Sequence, residues 1–213
     1  MSNGPLESRV NSPSTIGRQR LDPDVVLLAY TKGFFPMAES REGPIAWYSP
    51  DPRAIIPLDQ LRVSRSLRRR VRERHFDVRV DTAFDAVIRQ CAQREETWIS
   101  EEIIRVYTLL FRRGAAHSVE AWKEGTLAGG LYGLALGGAF FGESMFSLVT
   151  DASKVALVHL VAILREAGFV LLDTQFMTEH LRQLGAREVP REEYLTVLSQ
   201  ALQQKVDFPL PRV

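Results

Sequence analysis

Residues Gly114–Ser147 read GAAHSVEAWKEGTLAGGLYGLALGGAFFGESMFS, and this stretch sets the fold class. Its alternation predicts three strands joined by tight turns at Lys123–Thr126 and Leu136–Ala139, where Gly125 and the Gly137-Gly138 pair supply turn chemistry. The third strand ends in Phe141-Gly142-Glu143-Ser144-Met145-Phe146, which isolates one carboxylate among aromatics and Met. An acid in such surroundings is paired, neutral or part of a site. Glycines at 129, 130, 133, 137, 138 and 142 are unusual for strands. Repeated glycine marks bulges or a ligand lying close to the backbone. Two readings stay open: a glycine-rich hairpin core with one capped Glu, or a binding site.

Downstream, Asp151 is expected to begin a long helix through Ala167 that Gly168 closes. The strand Phe169–Asp173 (FVLLD) ends on an acid, with Gln175 two residues on. A short helix Met177–Leu184 stopped by Gly185, a strand Ala186–Val189 and a helix Glu192–Gln203 complete the pattern. Upstream of the meander, Phe76–Val80 reads as a strand and Asp81-Thr82 as the cap of a helix through Cys91. Ser100 caps another helix, with Glu101 and Glu102 in its first turn. This order argues an α+β domain over residues 61–213. Residues 21–60 form a small N-terminal α/β cap: Asp22-Pro23 starts a helix over Val25–Lys32, which Gly33 ends. Gly33–Met37 and Ala46–Arg53 then read as aromatic turns, and Ala54–Leu58 as a short strand. Residues 1–20 read as a disordered or artificially added lead.

The net charge of +1 hides a local excess. Arg62, Arg65, Arg68, Arg69, Arg70, Arg72 and Arg74 stand against one acid, Glu73. Ser64 caps this helix, and Val63, Leu67 and Val71 make its buried stripe. The remaining face is cationic and repels itself, so a polyanion would neutralise it; nucleic-acid phosphate is the natural candidate and a solvated basic helix the alternative. Cys91 is the only cysteine, which excludes an intramolecular disulfide and suits a reducing compartment. Its place in an amphipathic helix favours buried filler over a nucleophile. The longest apolar run, Val155–Leu164, is too short to span a bilayer, and the N-terminus lacks a secretory pattern. A cytoplasmic protein with no membrane association is expected.

Several standard sites are excluded. There is no phosphate-binding G-x-x-x-x-G-K-[ST] and no G-x-S-x-G nucleophile elbow. The histidines at 75, 117, 159 and 180 lack metal spacing, so no metal is expected, and His117 and His159 read as satisfied core residues. What remains is Glu143 and Asp173 at strand ends, with Gln175 nearby.

Other segments carry a resemblance: Tyr30-x-x-Gly33-x-Phe35-Pro36, Trp47-Tyr48-Ser49-Pro50-Asp51-Pro52-Arg53, Thr97-Trp98-Ile99 and Gly114-x-Ala116-His117-Ser118-Val119-Glu120-x-Trp122. Gly129-Gly130-Leu131-Tyr132-Gly133, Phe141–Ser147, Ala152-Ser153-Lys154-x-Ala156-Leu157, Asp173-x-Gln175 and His180-Leu181-x-x-Leu184-Gly185-Ala186 extend it. Over roughly residues 21–195 the chain resembles bacterial leucyl/phenylalanyl-tRNA–protein transferases. The resemblance implies an enzyme that moves Leu, or Phe or Met, from aminoacyl-tRNA to the N-terminal Lys or Arg of acceptor proteins, marking them for the N-degron pathway. It also implies a GNAT-like (acetyltransferase-type) catalytic domain with a mixed, largely antiparallel sheet, working as a monomer without a cofactor. A non-catalytic tRNA-binding module and a CoA-dependent acetyltransferase are the alternatives; Leu148-Val149-Thr150-Asp151 before the long helix lacks the glycines of a CoA loop.

By the same resemblance, Asp173 and Gln175 sit beside the reacting amine, and Glu143 adds negative potential for the acceptor's cationic residue. Leu131, Met145, Leu160 and Leu172 would line the pocket for the donor side chain. Trp98 would stack on the terminal adenine, Met37 and Trp47 would also bind substrate, and the arginines of 62–74 would hold the acceptor stem. Met37, where many members have Trp, and Leu148, where Arg is frequent, depart from the family.

Overall fold

The computed structural model describes residues 9–10 and 20–209. Its larger sheet grows from the meander. Strands β6 (Ala116–Lys123), β7 (Thr126–Leu136) and β8 (Ala139–Ser147) form the hairpins read from the sequence. β5 (Asp77–Val80) adds at one side; β9 (Leu171–Gln175), β4 (Arg53–Ile55) and β10 (Arg187–Val189) add at the other. The order is β10-β4-β9-β8-β7-β6-β5, and only β8 and β9 run parallel. The chain is thus a mixed α+β structure. Strand β4 lies between β9 and β10, so residues 53–55 belong to the sheet of the larger unit.

Successive strand residues point to opposite faces, and the two faces bury different partners. Phe141, Leu171 and Tyr132 pack with helices α1 (Pro23–Thr31), α3 (Phe84–Ala92), α4 (Glu101–Arg112) and α7 (Arg191–Leu202). Phe140, Leu172 and Leu131 pack beneath α5 (Ala152–Ala167), beside α6 (Glu179–Gln183). Helix α2 (Arg65–Arg72) covers the far end through Leu67. Expected caps hold at Asp22, Ser64 and Ser100, whose side chains accept from Asp24, Leu67 and Ile103 N–H groups. Gly168 closes α5 in the left-handed region at φ 88°.

Four local expectations are corrected. The segments read as aromatic turns are strands β2 (Phe35–Ala38) and β3 (Ile45–Tyr48), which with β1 (Arg9–Val10) form a three-stranded antiparallel sheet in the order β1-β3-β2. Pro36 had argued for a turn, but β2 is an edge strand, where a missing N–H is tolerated. Asp81 and Thr82 do not cap α3. Asp81 bonds the Ser118 N–H at 2.8 Å and His117 Nδ1 at 2.7 Å. The carboxylate of Glu120, reaching over from β6, accepts instead from the Ala83 N–H and the Thr82 hydroxyl. Asp151 precedes α5 at a left-handed φ of 71° with no capping bond; its carboxylate pairs with Arg70 at 3.0 Å and Lys154 at 3.3 Å. Strand β4 begins at Arg53 and ends at Ile55, earlier than Ala54–Leu58.

His117 is the satisfied core histidine expected: buried, paired with Asp81 and stacked on Phe208. Cys91 is filler, its thiol pushed by burial up to about 12. Among the described residues no helix is long and apolar enough to cross a membrane, and no cluster of metal-ligating side chains occurs. Of the lead over residues 1–20, positions 1–8 and 11–19 lie outside the described residues.

Candidate active site

Among the described residues the one parallel strand pair is also where the sheet opens. β8 and β9 are in register at Ala139↔Leu171, Phe140↔Leu172 and Phe141↔Asp173, and the pairing stops there. β8 continues along β7 to Ser147, while β9 stays with β4 through Ala54↔Gln175. The strands part like a fork, with Glu143 on one arm and Gln175 on the other. Each arm carries a bulge. On β8 the partners of Tyr132 and Gly133 are Ser144 and Gly142, so Glu143 is the extra residue; on β9 the extra residue is Thr174. An extra residue re-aims the strand locally, a device common beside active sites.

Glycine permits this geometry at Gly133. A Cβ there would lie 2.2 Å from the Phe141 carbonyl oxygen and 2.4 Å from a Phe140 ring carbon. Gly129 and Gly130 are also closely approached, by the Ala152 Cβ at 2.6 Å and the Val119 carbonyl at 2.9 Å. These glycines serve close strand and helix packing rather than a ligand. At Gly142, beside the fork, a Cβ would meet only ordinary contacts at 3.6 and 3.8 Å.

The bulge aims Glu143 at two helices. Tyr30 of α1 donates to Glu143 Oε1 at 2.6 Å, and Tyr107 of α4 donates to Oε2 at 3.2 Å. The two hydroxyls also touch each other, and both tyrosines are fully buried. Burial pushes the Glu143 carboxyl up to about 8; the hydrogen bonds from Tyr30 and Tyr107 hold it back, Asp173 adds to the rise and Arg53 opposes it. This favours the neutral acid at neutral pH, against the standing negative charge expected of Glu143.

Asp173 has a different environment. Arg53 donates Nε to Oδ1 at 2.9 Å and Nη2 to Oδ2 at 2.7 Å, and neither side chain has any exposed surface. The Tyr194 hydroxyl adds 2.8 Å to Oδ2, and the Gln175 N–H 2.9 Å to Oδ1. Arg53 lies between the Phe35 and Tyr194 rings, at 4.8 and 4.5 Å, and donates to the Gly33 carbonyl at 3.0 Å. Burial opposes the Arg53 charge, but Asp173 outweighs it and holds the guanidinium above its usual range. Arg53, Tyr194 and the Gln175 N–H together engage both Asp173 oxygens and hold the end of β9 in place. Gln175 sits at φ 59°, buried, with no partner for its Nε2 among the described residues. A buried amide donor without a partner is costly, and a ligand carbonyl would satisfy it.

The remaining expected residues fall into three places. Leu131, Leu160 and Leu172 meet in the core beneath α5, with half-buried Met145 packed on it opposite Leu131. Trp98, Met37 and Trp47 lie half-buried against the core on the other face of the sheet, and the Trp98 carbonyl accepts from the Ala38 N–H at 3.2 Å. Arg62, Arg65, Arg68, Arg69, Arg72 and Arg74 are exposed, whereas Arg70 is the one tied to Asp151. Arg62 and Arg68 line a groove of about 460 Å³ with Lys154 and His180, whose pKa is lowered by burial and then by Lys154.

Sequence reasoning missed Arg53, Tyr30, Tyr107 and Tyr194 as working parts of this region. Each carries a polar tip on an otherwise inward-facing apolar position, the one signal available beforehand.

The chain is similar to known proteins over most of its length. Residues 55–199 match the family described as leucyl/phenylalanyl-tRNA protein transferase, and residues 19–51 match its N-terminal domain. A leucyl/phenylalanyl-tRNA–protein transferase of Paramagnetospirillum magneticum is 58% identical over 88% of this chain and 92% of its own length. Those of Gloeobacter violaceus and Rubrobacter xylanophilus are each 58% identical, covering 85% and 86% of this chain and 94% and 96% of the relatives. The solved structure of L-PGS from Bacillus licheniformis aligns over 75% of this chain and 55% of its own, with 15% identity and a TM-score of 0.39.

Proposed function

Because the chain belongs to the leucyl/phenylalanyl-tRNA–protein transferase family, we propose that it transfers Leu, and also Phe or Met, from aminoacyl-tRNA to the N-terminal Lys or Arg of acceptor proteins. The setting is the cytoplasmic N-degron pathway, and the working unit is a monomer with a GNAT-like catalytic domain and no cofactor. The observation that carries this reading is the fork, with the unpartnered Gln175 amide on one arm and the Glu143 carboxyl on the other.

The reaction is aminolysis of an ester that is already activated. The acceptor's α-amine, whose ordinary pKa is about 8, attacks as the free base. Its nitrogen bonds to the aminoacyl carbonyl carbon, the ester C–O bond breaks, and the tRNA ribose oxygen leaves carrying one proton. Gln175 Nε2 would donate to the carbonyl oxygen as negative charge develops there, and Asp173, locked by Arg53 and Tyr194, would hold Gln175 in place. The donor side chain enters the apolar region of Leu131, Met145, Leu160 and Leu172, where adaptable Met suits several side chains. Trp98, Met37 and Trp47 offer a stacking surface for the terminal adenosine. The exposed arginines and the groove of Arg62, Arg68, Lys154 and His180 hold phosphates. The start of α5 disfavours a CoA donor, since the Asp151 carboxylate stands where a pyrophosphate would need hydrogen-bond donors.

The deciding experiment is transfer of labelled Leu from Leu-tRNA to peptides differing only in their first residue. Transfer to Lys and Arg peptides is expected. Binding of tRNA without transfer to any peptide would instead support a non-catalytic tRNA-binding module, and tight acetyl-CoA binding an acetyltransferase.

A further inference from the structure

The hydrogens around Glu143 can be counted. Three heavy-atom contacts close a ring: Tyr30 Oη to Glu143 Oε1, Glu143 Oε2 to Tyr107 Oη, and Tyr107 Oη to Tyr30 Oη. Each tyrosine brings one hydrogen and an ionised carboxylate brings none. With Glu143 ionised, both hydroxyls donate to the carboxylate and the contact between the tyrosines has no hydrogen. With Glu143 protonated, three hydrogens serve three contacts: Oε2–H to Tyr107, Tyr107 to Tyr30, and Tyr30 to Oε1. Passing between the two arrangements takes the gain or loss of one proton at Glu143 and rotation of the hydroxyls. The ring can therefore host both forms of the carboxyl: the acid with a hydrogen in every contact, and the anion with both hydroxyls turned to the carboxylate and the tyrosine oxygens easing apart.

The surroundings favour neither form completely. Against Glu143 stand Tyr30 from α1, Tyr107 from α4, Tyr132 from β7, Asp173 from β9, Arg53 from β4 and Tyr194 from α7. Cys91 of α3 and Arg94, which donates to the Met145 carbonyl at 2.5 Å, lie beyond, next to Tyr132 and Ser144. Burial and Asp173 favour the acid; the two tyrosine donors and Arg53 favour the anion.

We propose that Glu143 is the proton shuttle of the transfer, with Tyr30 and Tyr107 as the positioning residues that hold its acid and its anion in turn. Glu143 gives its proton to the departing ribose oxygen as the ester C–O bond breaks. It then takes one proton from the nitrogen that has just bonded to the carbonyl carbon. The net change is one proton moved from amine to ribose oxygen, so Glu143 returns to the acid and no further reactant is needed. Tyr30 comes from the N-terminal stretch, residues 19–51, and Glu143 from the remainder, so the site is complete only when both units are docked. This rests on the transfer reading above and adds the group that moves the proton.

The test is a pH profile of kcat and KM for the wild type, Tyr30→Phe, Tyr107→Phe and Glu143→Gln, using Leu-tRNA and an Arg-initiated peptide. In the wild type, kcat is expected to fall at alkaline pH as Glu143 loses its resting proton. Each Phe variant removes a donor that favours the anion, so this falling limb should move to higher pH while the KM for Leu-tRNA stays unchanged. Glu143→Gln should lose kcat by about 10²- to 10⁴-fold, as expected for removal of a general acid–base group. Lower activity in both Phe variants with the limb unmoved would reduce the tyrosines to packing. Glu143→Gln retaining kcat within about twofold would remove the shuttle. An infrared C=O band of a protonated carboxyl at pH 7, lost in Glu143→Gln, tests the resting acid without any turnover, and its absence would overturn the proposal. Complete lack of transfer by the wild type would instead defeat the transfer reading itself.

Discussion

Arg53 and Asp173, 120 residues apart in the chain, form a two-point ion pair at 2.9 and 2.7 Å from which solvent is excluded. The pair fixes the end of β9, because Asp173 Oδ1 also receives the Gln175 N–H. Removing one charge leaves the other buried and uncompensated, the case in which buried pairs matter most. Arg53→Met is expected to destabilise the protein by about 3–5 kcal/mol in urea unfolding. Arg53→Met combined with Asp173→Asn should recover a large part of that loss. If the double variant were no more stable than the single one, the pairing argument would fail.

Gln175 should act on rate more than on binding. Its Nε2 has no partner among the described residues, so removing it leaves none of them unsatisfied. Its φ of 59° would strain alanine, whereas glycine keeps the backbone path. Gln175→Gly is expected to lower kcat about a hundredfold, the usual cost of losing one donor to a developing oxyanion. The KM for Leu-tRNA should change little. A variant with wild-type kcat would place Gln175 outside the chemistry.

Glu143 also makes stability depend on pH. In the unfolded chain its carboxyl titrates near the ordinary value of 4.5; in the folded protein burial raises it to about 8. Between those values the folded state keeps a proton that the unfolded state has released. Stability from this group is therefore fully present below about 4.5, falls as pH rises, and is lost by about 8. Glu143→Gln removes this contribution to the slope. Urea midpoints measured from pH 5 to 9 should show the variant gaining on the wild type up to about pH 8, with a constant difference beyond. Parallel curves throughout would show that the carboxyl is not held as an acid.

How much of this was legible beforehand follows contact range. The meander, α5 and β9 are declared by local alternation, turn glycines and a C-cap, all within a few residues. The strands β2 and β3 were hidden because Pro36 reads as a turn unless the strand is known to be an edge. At the site, Glu143, Asp173 and Gln175 stand out as polar groups on apolar strands. Their controllers do not, since Arg53 and Tyr30 reach them from 120 and 113 residues away. Roles thus depend on contacts that no local pattern records: Asp173 is paired with Arg53, and burial raises the Glu143 carboxyl.

The basic helix divides into two kinds of arginine. Arg68 and Arg69 are exposed, while Arg70 is one-third exposed and held by Asp151. Arg68→Ala with Arg69→Ala should weaken tRNA binding and lower the slope of log K against log salt by about 1.4–1.8, taking about 0.7–0.9 per phosphate contact. Arg70→Ala should leave that slope nearly unchanged and cost less than about 1 kcal/mol of stability, as for other partly exposed pairs. Equal effects of all three would mean that Arg70 leaves Asp151 when tRNA binds.

Two glycines on neighbouring strands should separate packing from ligand approach. At Gly133 a methyl group would meet the Phe141 carbonyl at 2.2 Å, and backbone cannot step aside as a flexible side chain can. Gly133→Ala should cost about 3 kcal/mol or more and disturb the bulge that carries Glu143. At Gly142 the methyl group finds contacts no closer than 3.6 Å, so Gly142→Ala should fold with near wild-type stability. Gly142 is also where β8 parts from β9, and an aminoacyl ester lying in the fork would pass over it. Gly142→Ala is therefore expected to raise the KM for Leu-tRNA or lower kcat while the urea midpoint stays put. Unchanged kinetics in a stable Gly142→Ala protein would move the ester away from this strand.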